Sequence, residues 1–181
     1  DISCWLGWAN SSFETNIIGI YDLDIFLDYP PGYMYILYPI GALLKLFARA
    51  PERFTWFLVK IPPITADIVL TFIIFKVAKE KLGQNKALII SALYFLNPVV
   101  ILNSSAWGQI GGILALFVSL YVLALYERKF TLAGVYLAIG VLLKPQMVLF
   151  SPLYLTAAWS LFKEGKGNSL KDVLLGVLSG I

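Results

Sequence analysis

The stretch 130-FTLAGVYLAIGVLLKPQMVLFSPLYLTAAWSLF-162 decides the class of fold, because one charged residue, Lys144, is all that interrupts it. At a rise of ~1.5 Å per residue, a hydrocarbon core of about 30 Å is crossed by about 20 residues. The stretch is therefore too long for one span and predicts a tight hairpin turning near Pro145. Upstream, residues 87–103 and 106–126 form two further apolar runs that meet at Asn103-Ser104-Ser105. A longer run covers 56–78 and holds Lys60, the Pro62-Pro63 pair and Asp67. Residues 32–48 are apolar but interrupted by Pro39, Gly41 and Lys45, and another apolar run opens at Leu170.

Composition agrees with these runs. Hydrophobic residues make up 59% of the 181-residue chain and charged residues 14%, with a mean hydropathy of +0.79. A water-soluble domain carries about 25% charged residues and could not hide this much apolar surface. The chain has no His, and Cys4 is its sole cysteine. That excludes the usual zinc sets, a Ser-His-Asp triad and an internal disulfide. There is no P-loop and no GxGxxG after a strand, so a soluble nucleotide-binding domain is absent from this chain, and no nucleic-acid partner is expected. Acid–base chemistry must come from Asp, Glu, Lys or Tyr. The start at Asp1 and the apolar run reaching Ile181 are what a piece of a longer polytopic protein would show, cut at both ends.

Charge placement sets the expected topology. If 32–48 lies in the interface instead of crossing, three basic connections face the cytoplasm. These carry Lys76, Lys79, Lys81 and Lys86, then Arg128 and Lys129, then Lys163, Lys166 and Lys171, nine of the 14 basic residues. Residues 1–31 then face outward with Asp1, Glu14, Asp22, Asp24 and Asp28 and no Lys or Arg. The alternative leaves only Lys45, Arg49, Arg53 and Lys60 inside. The expected domains are a first outer loop at 1–55 with an interfacial helix at 32–48, a transmembrane module of about five spans at 56–162, and a cytoplasmic loop leading to a further span at 163–181.

Polar groups at membrane depth ask for a reason, since an ionisable one costs about 2.5–3.5 kcal/mol on insertion scales. Lys60 and Asp67 share a helix face, seven residues and ~10 Å apart along the axis. Lys60 could snorkel and Asp67 could bond a neighbouring helix; the functional reading is a polar cavity opened by a break at Pro62-Pro63. Lys144, beside Gln146 at the hairpin tip, is either solvated or a point charge for a phosphate oxygen. Asn97-Pro98 should weaken its helix, Trp107 suits an interfacial belt, and Gln109 could line a polar site. Asn10-Ser11-Ser12 and Asn103-Ser104-Ser105 match the glycosylation sequon weakly. The five outer carboxylates are a solvated acidic loop, a source of a general base, or chemically open to a divalent cation, although no EF-hand spacing is present.

Taken in order, Asp1, Trp8-Ala9, Tyr21-Asp22-Leu23, Asp28-Tyr29-Pro30-Pro31-Gly32-Tyr33, Lys60-Ile61-Pro62, Ala66-Asp67, Asn97-Pro98, Trp107-Gly108-Gln109 and Lys144-Pro145-Gln146 resemble the GT-C type membrane glycosyltransferases. The likeness is closest to prokaryotic mannosyl- or glucosyltransferase-like members and extends to ER-lumenal glucosyltransferases. It implies an all-α integral membrane fold, a polytopic helical bundle with a large outer loop carrying a juxtamembrane helix. It implies an enzyme, active as the full-length protein, that moves a mannose- or glucose-class sugar from a polyprenyl-phosphate donor to an acceptor on the outer or lumenal face, with inversion.

In the same resemblance, Asp1 matches the catalytic base. Lys144 and Gln146 would lie near the donor phosphate, and Asp28, Tyr29, Trp107 and Gln109 near the sugar or the fold of the loop. No metal site and no cofactor are expected. The partners implied are the lipid-linked donor, membrane lipids and a glycan, lipid or protein acceptor, in a multi-pass protein of a prokaryotic plasma membrane rather than the ER. Where many members carry an acid after the Trp-Gly-Gln motif, this chain has Gly111 and Gly112. The rival readings are a transporter or flippase with Lys60 and Asp67 in its path, or a non-catalytic assembly subunit of the same fold.

Overall fold

A computed structural model describes residues 2–163; Asp1 and residues 164–181, with most of the expected 163–181 segment, lie outside the described residues. Every regular element among the described residues is helical. The chain forms two compact units, Asp1–Leu116 and Phe117–Ile181.

The first unit opens with α1 (Ile2–Thr15), a helix within the stretch read from sequence as an acidic loop. Its buried residues, Trp5, Trp8, Ala9 and Ser12, follow the i, i+3, i+4, i+7 spacing of one helix face. Asn16 ends it with φ +91° and accepts backbone N–H bonds from Ile18 and Gly19 through Oδ1. After a 3₁₀ turn at Gly19–Asp22, α2 (Pro31–Leu46) starts with Pro31 at its first position, where the missing N–H has no partner to lose. Helix α2 covers most of the 32–48 stretch, continues through Pro39, and buries Tyr33, Met34, Leu37, Ile40, Gly41 and Leu44 along one face.

The two helices meet at a glycine. A Cβ at Gly41 would lie 2.1 Å from the Ala9 carbonyl oxygen and 2.7 Å from Phe13 Cβ, so only glycine permits this approach. The connecting loop folds back on α1: Trp8 Nε1 donates to the Phe26 carbonyl at 2.8 Å, and Tyr21 Oη donates to the Tyr29 carbonyl at 2.7 Å.

Helix α3 (Glu52–Leu82) is 31 residues long and apolar enough to cross a membrane. The break expected at Pro62-Pro63 does not occur; the helix runs through both prolines, with Pro63 buried. Thr65 Oγ1 donates to the Ile61 and Pro62 carbonyls within this region. Helix α4 (Gln84–Phe95) follows Gly83, whose φ of +82° suits a turn that L side chains resist. The short α5 (Pro98–Ile101) and a π-turn at Leu102–Ala106 continue α4 after a 45° bend, and together they are long and apolar enough for a broken span or a re-entrant loop. The bend falls at Asn97-Pro98, where Asn97 Oδ1 caps Val99 N at 2.9 Å. Helix α6 (Gly111–Tyr126) is apolar but 16 residues long; it begins in the first unit, and its later part belongs to the second.

The second unit contains the predicted hairpin. Helix α7 (Phe130–Leu143) ends at Lys144, which is extended, and the return begins as a 3₁₀ turn at Pro145–Phe150 before α8 (Ser151–Lys163). The return is tight because Gly140 faces Met147: a Cβ there would lie 2.5 Å from Met147 Cγ. Phe130 meets Tyr154 edge-to-face at 5.7 Å, and Tyr121 Oη donates to the Phe150 carbonyl at 3.0 Å.

Candidate functional site

Two sequence motifs meet in the first unit, with Ile2 beside them. Lys60, on α3, lies directly behind the Trp107-Gly108-Gln109 turn. A Cβ at Gly108 would sit 3.2 Å from Lys60 Cγ, 4.0 Å from Lys60 Cε and 3.8 Å from Ile2 Cγ1. Gly108 also has φ +65°, a backbone that favours glycine, and a Cβ there would press on the Lys60 stem. Ile2 is the residue after Asp1, the matched catalytic base, which itself lies outside the described residues. Trp107 is 66% exposed, and Gln109 N donates to the Asn103 carbonyl at 2.9 Å, closing the turn. The turn follows a π-turn, a feature often found at functional positions.

Asp67 is the joint beneath this turn. It is 5% exposed; Tyr94 Oη donates to Oδ1 at 2.9 Å, and Ser104 Oγ donates to Oδ2. Its carboxylate thus ties α3 to α4 and to the π-turn, which is the bonding to a neighbouring helix weighed from sequence. Gly112, at the start of α6, packs against it: a Cβ there would lie 2.7 Å from Asp67 Oδ1. Gly111 faces Asn103 in the same way, at 2.5 Å from Nδ2. Asn103 and Asp67 therefore occupy the space into which side chains at 111 and 112 would grow.

Tyr29 belongs to an aromatic cluster that sequence reading did not anticipate. Trp5 lies 5.1 Å from Tyr29, 5.2 Å from Tyr33 and 5.1 Å from Trp8, all edge-to-face. The spacing of Trp5 and Trp8 on α1 was the signal that could have found it. Burial, with the neighbouring Asp28 charge adding to it, pushes the Tyr29 hydroxyl above its ordinary value. Tyr29 is thus a neutral phenol at physiological pH. Asp28 is exposed beside it, and Trp5 Nε1 is buried without an acceptor among the described residues. No group of three or more His, Cys, Asp or Glu among the described residues is placed to hold a metal ion.

Lys144 and Gln146 belong to the second unit. Lys144 is half-buried at the tip between α7 and the 3₁₀ return, and its backbone N–H donates to the Gly140 carbonyl at 2.8 Å. Gln146 is exposed one residue beyond Pro145.

Comparison with known proteins adds a family to this geometry. GPI mannosyltransferase 1 of Saccharomyces cerevisiae (strain ATCC 204508 / S288c) is 25% identical over 139 residues, 76% of this chain and 34% of the yeast protein. The chain thus spans about a third of that curated relative's length. The relative comes from a yeast, which lends no support to the prokaryotic membrane expected above. No solved structure matches. The family model described as "GPI transamidase subunit PIG-U" matches residues 14–179. That match takes in nearly all of the sequence, and the chain belongs to the PIG-U family.

Proposed function

We propose that this chain is the donor-side portion of a multi-pass GT-C type membrane mannosyltransferase, acting on the outer or lumenal face. The observation that carries the reading is the convergence of Lys60, the Trp107-Gly108-Gln109 turn and Ile2 beside Asp1. The donor is a polyprenyl-phosphate sugar. Mannose is favoured over glucose, and a GPI-class glycolipid is favoured as acceptor, by the name of the yeast relative. Asp1 removes the acceptor hydroxyl proton as the oxygen attacks the anomeric carbon, with inversion. Lys144 and Gln146 hold the departing phosphate, and Asp28, Tyr29, Trp107 and Gln109 shape the sugar site. No resident metal or cofactor enters the scheme. About five spans at 56–162 place the three basic connections on the cytoplasmic side.

A second reading, a non-catalytic assembly subunit, is favoured by two observations. One is the family's description as a transamidase subunit; the other is that Asn103 and Asp67 fill the space beside Gly111 and Gly112 where many GT-C members carry an acid. A transporter finds less support, because both carboxylate oxygens of Asp67 are engaged by hydroxyls within the packing.

The test uses the full-length protein in membranes with radiolabelled polyprenyl-phosphate mannose and glucose. Transfer that falls by about 10²–10⁴ in Asp1→Asn, the range expected for a lost general base, supports the enzyme and its base. Transfer unchanged by Asp1→Asn removes Asp1 from that role. Absence of transfer from either donor favours the assembly subunit.

A further inference from the structure

A cleft of about 440 Å³, within the size range of small-ligand sites, opens between α1, the end of α2 and the first turn of α3. None of the residues of the site described above lines it. Its charged lining residues are one of each sign, Glu14 from α1 and Lys45 from α2, and they do not pair with each other. Lys45 Nζ stands 5.6 Å from the centroid of the Phe13 ring, within cation–π range, which holds the ammonium against the cleft wall. Phe47 flanks the cleft and packs edge-to-face on Phe54 at 5.3 Å. Asn10 and Thr55 add an amide and a hydroxyl. A ligand of one sign would be attracted by one wall and repelled by the other; a ligand that carries both charges satisfies both.

The position narrows the ligand class. Thr55 stands in the first turn of α3, the helix long and apolar enough to cross a membrane, and Trp56 is exposed beside it. An exposed Trp at the head of a spanning helix marks the level of lipid headgroups. We propose that this cleft binds the headgroup of a zwitterionic phospholipid with a primary ammonium, of the phosphatidylethanolamine class. Lys45 takes a phosphodiester oxygen, Glu14 takes the ammonium at the end of its two-carbon arm, and the Asn10 amide donates to an ester oxygen. The Thr55 hydroxyl gives its proton to the Glu52 carbonyl, which leaves its lone pairs for the ammonium. A trimethylammonium has no N–H for Glu14 or Thr55, so choline lipids fit less well. The assignment rests on the membrane placement proposed for α3 and is independent of sugar transfer.

The experiment titrates the full-length protein in detergent with short-chain phosphatidylethanolamine, phosphatidylcholine and phosphatidylglycerol, read by native mass spectrometry. The parent should bind the ethanolamine lipid at least about tenfold tighter than the other two. Lys45→Met should weaken both phosphatidylethanolamine and phosphatidylglycerol by about tenfold, and Lys45→Arg should keep most of the affinity. Glu14→Gln should weaken phosphatidylethanolamine but strengthen phosphatidylglycerol, a reversal that a merely structural role would not produce. Both side chains are exposed, so Tm should stay unchanged. Equal binding of the three lipids, or binding indifferent to both substitutions, overturns the assignment. Competition on the parent needs no variant: glycerophosphoethanolamine, which lacks the acyl chains, should displace the lipid only in about tenfold excess or more. Displacement at equal concentration would make the cleft a site for a soluble phosphodiester, and no displacement would put binding on the chains; either result overturns the lipid-headgroup site.

Discussion

Tyr94 Oη donates to Asp67 Oδ1 at 2.9 Å while Ser104 Oγ takes Oδ2, so a single carboxylate on α3 fastens both halves of the bent α4–α5 segment. The arrangement puts a buried acid in the service of packing. Its two donors come from either side of the 45° bend, so the same carboxylate that joins the helices also holds the bend.

Removing one of those donors leaves part of a buried carboxylate unsatisfied. Tyr94→Phe and Ser104→Ala are each expected to destabilise the full-length protein by about 1–3 kcal/mol, measured as a fall in Tm in detergent. Because they share Asp67, the double variant should depart from additivity by about 0.5 kcal/mol or more. Asp67→Asn, which keeps one carbonyl acceptor and offers an amide donor, should be milder and, under the proposed function, should retain sugar transfer. A well-folded Asp67→Asn protein that loses function would move Asp67 from the joint into a proton or substrate path.

Gly41 sets the distance between α1 and α2. Since a Cβ there would overlap the Ala9 carbonyl oxygen at 2.1 Å, Gly41→Ala must push the helices apart. Overpacking of this kind costs about 1–3 kcal/mol. The expected readout is a lower Tm with faster proteolysis in the 16–30 loop, which connects the two helices and is tied to α1 by the Trp8–Phe26 hydrogen bond. Unchanged proteolysis would mean that α2 does not dock on α1 in the membrane.

What could be read before the structure, and what could not, separates along physical lines. The hairpin around Pro145 and the bend at Asn97-Pro98 were legible because proline acts locally on backbone bonds. The same rule failed at Pro62-Pro63, where α3 continues as an unbroken helix. Helix α1 was hidden by its composition: Asn10, Ser11, Glu14 and Thr15 dilute the signal, and only the spacing of Trp5, Trp8, Ala9 and Ser12 carries it. The Lys60–Gly108 contact could not be read at all. It joins residues far apart in sequence through a turn whose φ of +65° leaves no periodic trace.

The two sequon matches lie within helical backbone. Asn10 is in α1, and the Ser12 of its sequon is fully buried, donating to the Ala9 carbonyl at 3.1 Å. Asn103 lies in the π-turn, with Ser104 engaged by Asp67. Expression in a glycosylating host should therefore give no mobility shift on glycosidase treatment, identical to Asn10→Gln and Asn103→Gln. A shift lost in either variant would show that the segment is presented unfolded to the glycosylation machinery before it packs.

Restoring the acid after the Trp-Gly-Gln motif tests whether this chain has lost a site or rebuilt it. At position 111 a Cβ meets the Asn103 side-chain amide at 2.5 Å, and a neutral side-chain tip can move. At position 112 it meets the Asp67 carboxylate at 2.7 Å, which both hydroxyl donors hold in place. Gly111→Asp should therefore cost little beyond displacement of Asn103, and Asn103→Ala should relieve that cost. Gly112→Asp adds like charge against a fixed buried carboxylate and should destabilise by more than about 3 kcal/mol, the upper end of ordinary substitutions. If Gly111→Asp with Asn103→Ala raises transfer from polyprenyl-phosphate mannose, the glycine marks a weakened enzyme. If transfer is absent in both the parent and this variant while Tm is preserved, the exchange of acid for glycine belongs to a chain that has kept the scaffold for assembly.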